Sequence, residues 1–308
     1  MAAFYTFEDY SGSAKSSASE NPYDGLLEAC QDDPKQIQAM YDKHRTNRAA
    51  SQRAKLLAND FPGVTVDEIL ARLEDKEPGY QDPRHCLVFW ARPPKAVRSL
   101  IAQVQQKLLQ AAPTLWTMPQ PDLHMTALEI THSLTADEIE ALVEQMLPRG
   151  APEIVDYTYG HRARLVKPMV SYDAQAIALS FLPAAGEGEG NSDVYSYHHL
   201  RRDLYTQAQK TGVKVASRYV VPSAHLTIGR FITKRDFETE GQVDHVKVAK
   251  LVETIEDINT WLEDFWPKDG MIKDGGEWLV GAEKGLEFRK GALWYGSGGE
   301  TVRLGKGF

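Results

Sequence analysis

The pattern His-x-Thr occurs twice in this chain, as His124-Met125-Thr126 and His225-Leu226-Thr227. Each copy has a proline three residues before the histidine, in Pro121-Asp122-Leu123-His124 and Pro222-Ser223-Ala224-His225. Both sit in short apolar runs that read as strands, and alternate strand residues share a face, so each histidine lies beside its own threonine. The surrounding elements repeat too. Cys86–Ala91 reads as a buried strand, Val97, Leu100, Ile101, Val104 and Leu108 have helical spacing, and a capping box at Thr135 and Glu138 opens a helix after the first motif. In the second half Ala176–Leu182 reads as a strand, Tyr195–Lys210 as a helix, and Val246–Phe265 as the helix after the second motif. A strand–helix–strand–helix unit used twice relates its motif strands by a pseudo-twofold axis and brings both histidines to one cleft. The expected fold class is therefore α+β and bilobal. Duplicated β-α-β units would form two antiparallel sheets around a central cleft, with helices outside.

The chain has 308 residues, more than one ordinary domain, and its 42% hydrophobic and 25% charged residues allow a proper core. Residues 1–80 read as an N-terminal helical extension. A loose Ser/Ala/Gly stretch, Ser11–Asn21, precedes a helical pattern from Pro34 to Asn59 and a short helix over Val66–Leu73, with Thr65 or Asp67 near its start. Pro78-Gly79 and Asp82-Pro83 mark the boundary. Residues 81–308 then form the main domain, with one lobe of roughly 81–150 plus the C-terminal strands and another of 160–265. Arg162–Ser171 and Ala176–Leu182 are expected to pair as a hairpin turned at Tyr172-Asp173-Ala174, and Trp278–Leu304 to supply antiparallel strands.

A net charge of −8 argues against a sequence-blind grip on long nucleic acid, and DNA is not an expected partner. It leaves room for a small phosphorylated ligand in a locally positive pocket. Cys30 and Cys86 are too few for a disulfide framework or a cysteine zinc site. Met1–Ser19 lacks the basic and apolar regions of a secretory signal, and no apolar run reaches membrane-spanning length. A reduced cytoplasmic compartment is expected, with the nucleus as the alternative. So is a monomer, for want of a heptad pattern.

An imidazole beside a hydroxyl, presented twice, suits phosphate-ester chemistry: one imidazole takes a proton, the other gives one, and the hydroxyls hold phosphate oxygens. Other features carry less. Gly186–Gly190 is glycine-rich but acidic, so it reads as a loop, and Gly296-Ser-Gly-Gly299 reads as a turn after Trp294-Tyr295. His198 and His199 are adjacent on a helix and face different ways. His132 and His161 have no carboxylate or cysteine at ligand spacing. Arg201-Arg202 and Lys234-Arg235 read as solvated faces that steer an anionic substrate at most.

The paired motifs resemble those of the two-histidine (2H) phosphoesterase superfamily, which includes bacterial RNA 2′,3′-cyclic phosphodiesterases of the RNA ligase-like group and plant-type cyclic nucleotide phosphodiesterases. The resemblance covers about residues 83–308. Phe89-Trp90-Ala91-Arg92-Pro93 is similar to the Trp-Ala-x-Pro of the plant-type enzymes, which implies Trp90 as a substrate-binding wall for a base or ribose, with core packing the alternative. Those enzymes carry an aromatic residue three positions after the second motif. Arg230 stands there in this chain, to contact substrate phosphate or to form a surface ion pair.

The resemblance implies a metal-independent phosphoric diester hydrolase that needs no cofactor. His124 and His225 would be the catalytic acid and base, and Thr126 and Thr227 the phosphate-binding hydroxyls. The substrate would be a 2′,3′-cyclic phosphate of a nucleotide or a short RNA end, opened to a 2′-phosphate in RNA processing, with His225 at the 2′/3′ edge. The alternatives are another RNA linkage (a 2′,5′-oligoadenylate bond or a 3′ RNA tail), a nucleotide- or RNA-binding module with little catalysis, and a metal-dependent hydrolase using His85, His124 or His225 as ligands.

Overall fold

A computed structural model describes residues 8–12, 19–188 and 192–308. Residues 13–18 of the Ser/Ala/Gly stretch and residues 189–190 of the acidic glycine loop lie outside it. The N-terminal region forms α1 (Asp24–Cys30), α2 (Pro34–Leu56) and α3 (Glu68–Glu74). Asp33 caps α2 by accepting from the Lys35 amide, and Asp67 caps α3 by accepting from that of Leu70.

The first half follows with β1 (His85–Ala91), α4 (Lys95–Ala111), β2 (Trp116–Thr117), β3 (Met125–Leu134) and α5 (Ala136–Met146). Two short helices, α6 (Ala151–Val155) and α7 (Tyr157–Gly160), connect to β4 (Arg164–Tyr172), β5 (Ala176–Pro183), α8 (Tyr197–Lys210) and β6 (Ala224–Arg230). The small ribbon β7 (Glu238–Thr239) and β8 (Gln242–Val243) leads to α9 (His245–Leu262). Last come β9 (Glu277–Leu279), β10 (Glu287–Gly291) and β11 (Glu300–Leu304). Capping boxes open both α5, at Thr135 and Glu138, and α8, at Ser196 and His199.

The fold is α+β with two antiparallel sheets, ordered β11-β10-β1-β3 and β2-β6-β5-β4-β9. The β4–β5 hairpin turns at Asp173, whose carboxylate accepts the amides of Gln175 (2.8 Å) and Ala176 (2.9 Å). The C-terminal strands are divided: β10 and β11 extend the first sheet, while β9 joins the second. β2, from the first half, likewise pairs with β6 in the second. Gln105 of α4 bonds the carbonyls of Met118 (2.9 Å) and Ile228 (3.0 Å), tying the halves where β3 and β6 come together.

Alternation sorts the strands. In β1, Leu87, Phe89 and Ala91 join the main core, while Cys86, Val88 and Trp90 form a separate small cluster with Leu293 and Trp294. The residues around each motif alternate buried and half-buried, and the half-buried ones are His124, Thr126, His225 and Thr227. One core serves both sheets, and Tyr23, Leu26, Ile37 and Tyr41 of the N-terminal region belong to it.

Candidate active site

Between the sheets lies a cleft open to solvent, lined by His124, Thr126, His225, Thr227, Trp90 and Arg230. All six candidates from the sequence therefore meet at one place. His124 stands just before β3 and His225 is in β6, with Ser180 of β5 opposite it in register.

Each imidazole is anchored through Nδ1 by the residue two places earlier. His124 Nδ1 donates to the Asp122 carbonyl at 2.7 Å, and His225 Nδ1 meets the Ser223 hydroxyl at 2.9 Å. A carbonyl only accepts, so the neutral His124 ring carries its proton on Nδ1 and offers a lone pair at Nε2. The serine hydroxyl accepts or donates, which lets His225 Nε2 be either donor or acceptor. Among the described residues neither threonine hydroxyl has a hydrogen-bond partner. Burial lowers the His124 pKa to about 3, and the charges of Arg92, Arg289 and Arg230 push the same way, against the Asp122 bond. Burial, then Arg48 and Arg201, lowers that of His225 to about 4.

Trp90 packs face to face with the His124 ring, centroids 3.7 Å apart and planes 20° apart, with Arg92 (4.9 Å) and Arg289 (5.0 Å) over the indole. It is 1% exposed, so most of what it shows the cleft is already covered. Arg92 ties this side together by donating to the carbonyls of Pro121 and Leu123 (3.2 Å each) and to Glu287 at 2.8 Å. The segment before His124 is thus clamped onto the end of β1. Gly296 closes the clamp from the other side. At φ +79° it approaches so near that a Cβ there would lie 2.5 Å from the Asp122 carbonyl oxygen, the atom that anchors His124. Arg230 pairs with Asp67 at 3.2 Å, and its Nε has no hydrogen-bond partner among the described residues.

Sequence reasoning missed several cleft residues. Glu129 and Arg218 form a two-pronged ion pair at 3.0 and 2.6 Å in the cleft wall, from strands and segments far apart in the chain. Trp294, which the sequence placed beside a turn, lines the cleft with the Arg84 (4.2 Å) and Arg218 (4.4 Å) guanidiniums over its ring. Arg201 corrects an expectation outright: it is no solvated helix residue but 1% exposed, and it lines the cleft. The signal was present, because Arg201 falls on the buried stripe Tyr197, Leu200, Leu204 and Ala208 of α8. Arg202 pairs with Asp203 at 2.7 Å. His198 and His199 are held apart, the former by Tyr41 and the Tyr23 carbonyl, the latter by its capping box and Asp32. Among the described residues no three His, Cys, Asp or Glu side chains group as metal ligands, and no helix is long and apolar enough to cross a membrane.

No protein-family model matches the chain, and no curated protein matches it. Solved structures similar to it include a conserved protein of unknown function from Agrobacterium tumefaciens, at 12% identity and a TM-score of 0.46, covering 73% of this chain and 88% of that one. They also include Usb1 from Kluyveromyces marxianus with uridine monophosphate, at 11% identity and a TM-score of 0.37, covering 72% of this chain and 98% of that one. Usb1 alone is similar at 12% identity, with the same TM-score and coverage.

Proposed function

We propose that this chain is a two-histidine phosphodiesterase that opens 2′,3′-cyclic phosphates of nucleotides or RNA ends. The observation that carries the reading is the duplicated arrangement itself: two imidazoles anchored through Nδ1, each beside a threonine hydroxyl without a partner, in one cleft.

His124, with its Nδ1 proton committed to a carbonyl, is the base that takes a proton from water at Nε2. His225, whose serine anchor accepts or donates, is the acid that protonates the departing ribose oxygen. Both imidazoles are held neutral in the free protein by burial and by arginine charge. An incoming ester anion offsets that positive charge, so the His225 pKa rises as substrate binds and the acid is loaded in the complex. Thr126 and Thr227 donate to the non-bridging oxygens, and the charge that builds on them in the transition state makes those bonds stronger. Trp294, half-buried in the cleft wall, is the apolar surface offered to the nucleoside. Trp90 orients His124 by stacking. The two imidazoles handle both protons, and the reaction as written uses no metal.

The test is hydrolysis of the four nucleoside 2′,3′-cyclic monophosphates in excess EDTA by the unaltered chain, His124→Ala and His225→Ala. Turnover by the unaltered chain alone supports the reading, and the phosphate position in the product gives its direction. Full turnover in both variants would falsify it. Turnover only of 2′,5′-linked or 3′-tailed RNA would keep the two-histidine chemistry and replace the substrate.

A further inference from the structure

Helix α8 buries a whole guanidinium at the His225 side of the cleft. Arg201 donates through Nη1 to the Val221 carbonyl at 2.8 Å and through Nη2 to the Tyr23 hydroxyl at 3.2 Å, and its charge lies over the Tyr23 ring at 4.6 Å. Its Nε is buried and has no hydrogen-bond partner among the described residues. The other arginines lining the cleft are neutralised, Arg218 by Glu129 and Arg230 by Asp67. Among the described residues Arg201 is paired with no carboxylate. Arginine does not shed its proton, and a buried cation without a counter-charge is unfavourable until an anion arrives.

The residues that hold Arg201 come partly from the N-terminal region. The Tyr23 hydroxyl accepts from Arg201 and donates to the carbonyl of Tyr219, a cleft residue, at 3.1 Å. Next to it His198 donates to the Tyr23 carbonyl and accepts from the Tyr41 hydroxyl, both at 2.9 Å. Tyr23 thereby joins two cleft residues, Arg201 and Tyr219, from the N-terminal region.

We propose that Arg201 supplies the positive charge that draws and holds the ester anion beside His225, and that Tyr23, from the N-terminal helical region, is the positioning residue that fixes it there. The helical region is then part of the site and not an appendage. The proposal rests on the reading of the cleft as a phosphodiester site.

The experiment titrates the full chain with inorganic phosphate and with a nucleoside 2′-monophosphate by calorimetry, at low and high salt. The variants are Arg201→Met, Arg201→Lys and Tyr23→Phe, each checked for folding by circular dichroism. Arg201→Met is expected to weaken phosphate binding roughly tenfold to a hundredfold, the range for a hydrogen bond to a charged group, and to flatten its salt dependence. Arg201→Lys should keep most of the salt dependence, and Tyr23→Phe should weaken binding about threefold to tenfold by loosening the guanidinium. Arg201→Gln replaces the methionine variant if that one does not fold. Wild-type phosphate affinity in a folded Arg201 variant overturns the proposal, even where the histidine variants uphold the phosphodiesterase reading. Binding that depends on Arg201 without hydrolysis of any nucleotide ester upholds the proposal and sinks that reading.

Discussion

The two sides of the cleft are built on one plan and balanced differently. On the first, Arg92 clamps the segment before His124 and is neutralised by Glu287, while the imidazole is locked by a carbonyl and an indole. On the second, Arg201 holds the Val221 carbonyl ahead of His225 and has no carboxylate among the described residues, while the imidazole meets a hydroxyl and lies 5.9 Å from a tilted Tyr219 ring. A duplicated unit can therefore diverge in charge and rigidity without changing its motif. In the proposed reading the first side holds one tautomer, and the second attracts an anion and changes protonation.

The comparison makes its largest demand on the histidines: if both move protons, His124→Ala and His225→Ala each lose about 10²–10⁴-fold in kcat. Unequal losses in steady-state kinetics, with one variant near wild type, would break the symmetry of the plan. Next come the rings that hold them. Trp90→Ala should destabilise the fold by about 3–5 kcal/mol in urea denaturation, the cost of emptying a buried aromatic site. Tyr219→Ala, at a half-buried position, should cost about 1 kcal/mol; equal values would show that the sides are equally rigid.

Gly296→Ala sharpens the contrast, because its Cβ displaces the Asp122 carbonyl and adds strain at a positive φ. Turnover is expected to fall about tenfold, and phosphate affinity, which the proposal assigns to Arg201, to stay near wild type.

Acid stability tests the buried imidazoles together. His124, His198 and His225 have folded pKa values of about 3, 3 and 4, below the ordinary value. Between roughly pH 6.5 and 4 the unfolded chain therefore binds more protons, so stability is full above that window and declines as pH falls through it. His198, 1% exposed, is the cleanest probe. Replacing it with Asn should remove up to about 1.4 kcal/mol per pH unit from that slope in denaturant titrations at pH 4.5–6.5. The smallest effect belongs to Ser223→Ala, which should change kcat by only about threefold while shifting the pH profile through His225; a shift matching that of His124 variants would erase the difference between the anchors.

Much of the fold was legible because its signals are local. The Thr135/Glu138 box, the strand alternation around both motifs and the Asp173 turn each depend on a few neighbouring residues and stand where the sequence placed them, and of the two caps offered for α3, Thr65 and Asp67, the structure uses Asp67. The motif histidines and threonines were legible for the same reason, as a repeated spacing on repeated elements, whereas Trp90 and Arg230 were pointed to by the family resemblance. Arg201 departs from the solvated face expected of a charged pair because it lies on the apolar stripe of α8.

The sequence by itself determined the main repeated elements and four of the side chains that line the cleft, His124, Thr126, His225 and Thr227, since periodicity and capping are properties of short segments. Tertiary structure alone decided that β2 and β9 cross into the second sheet, that Glu129 meets Arg218 across 89 residues, and that Arg201 rests on Tyr23 across 178. Those choices depend on which distant groups can satisfy a buried charge or an open strand edge, and only the folded chain brings them within reach.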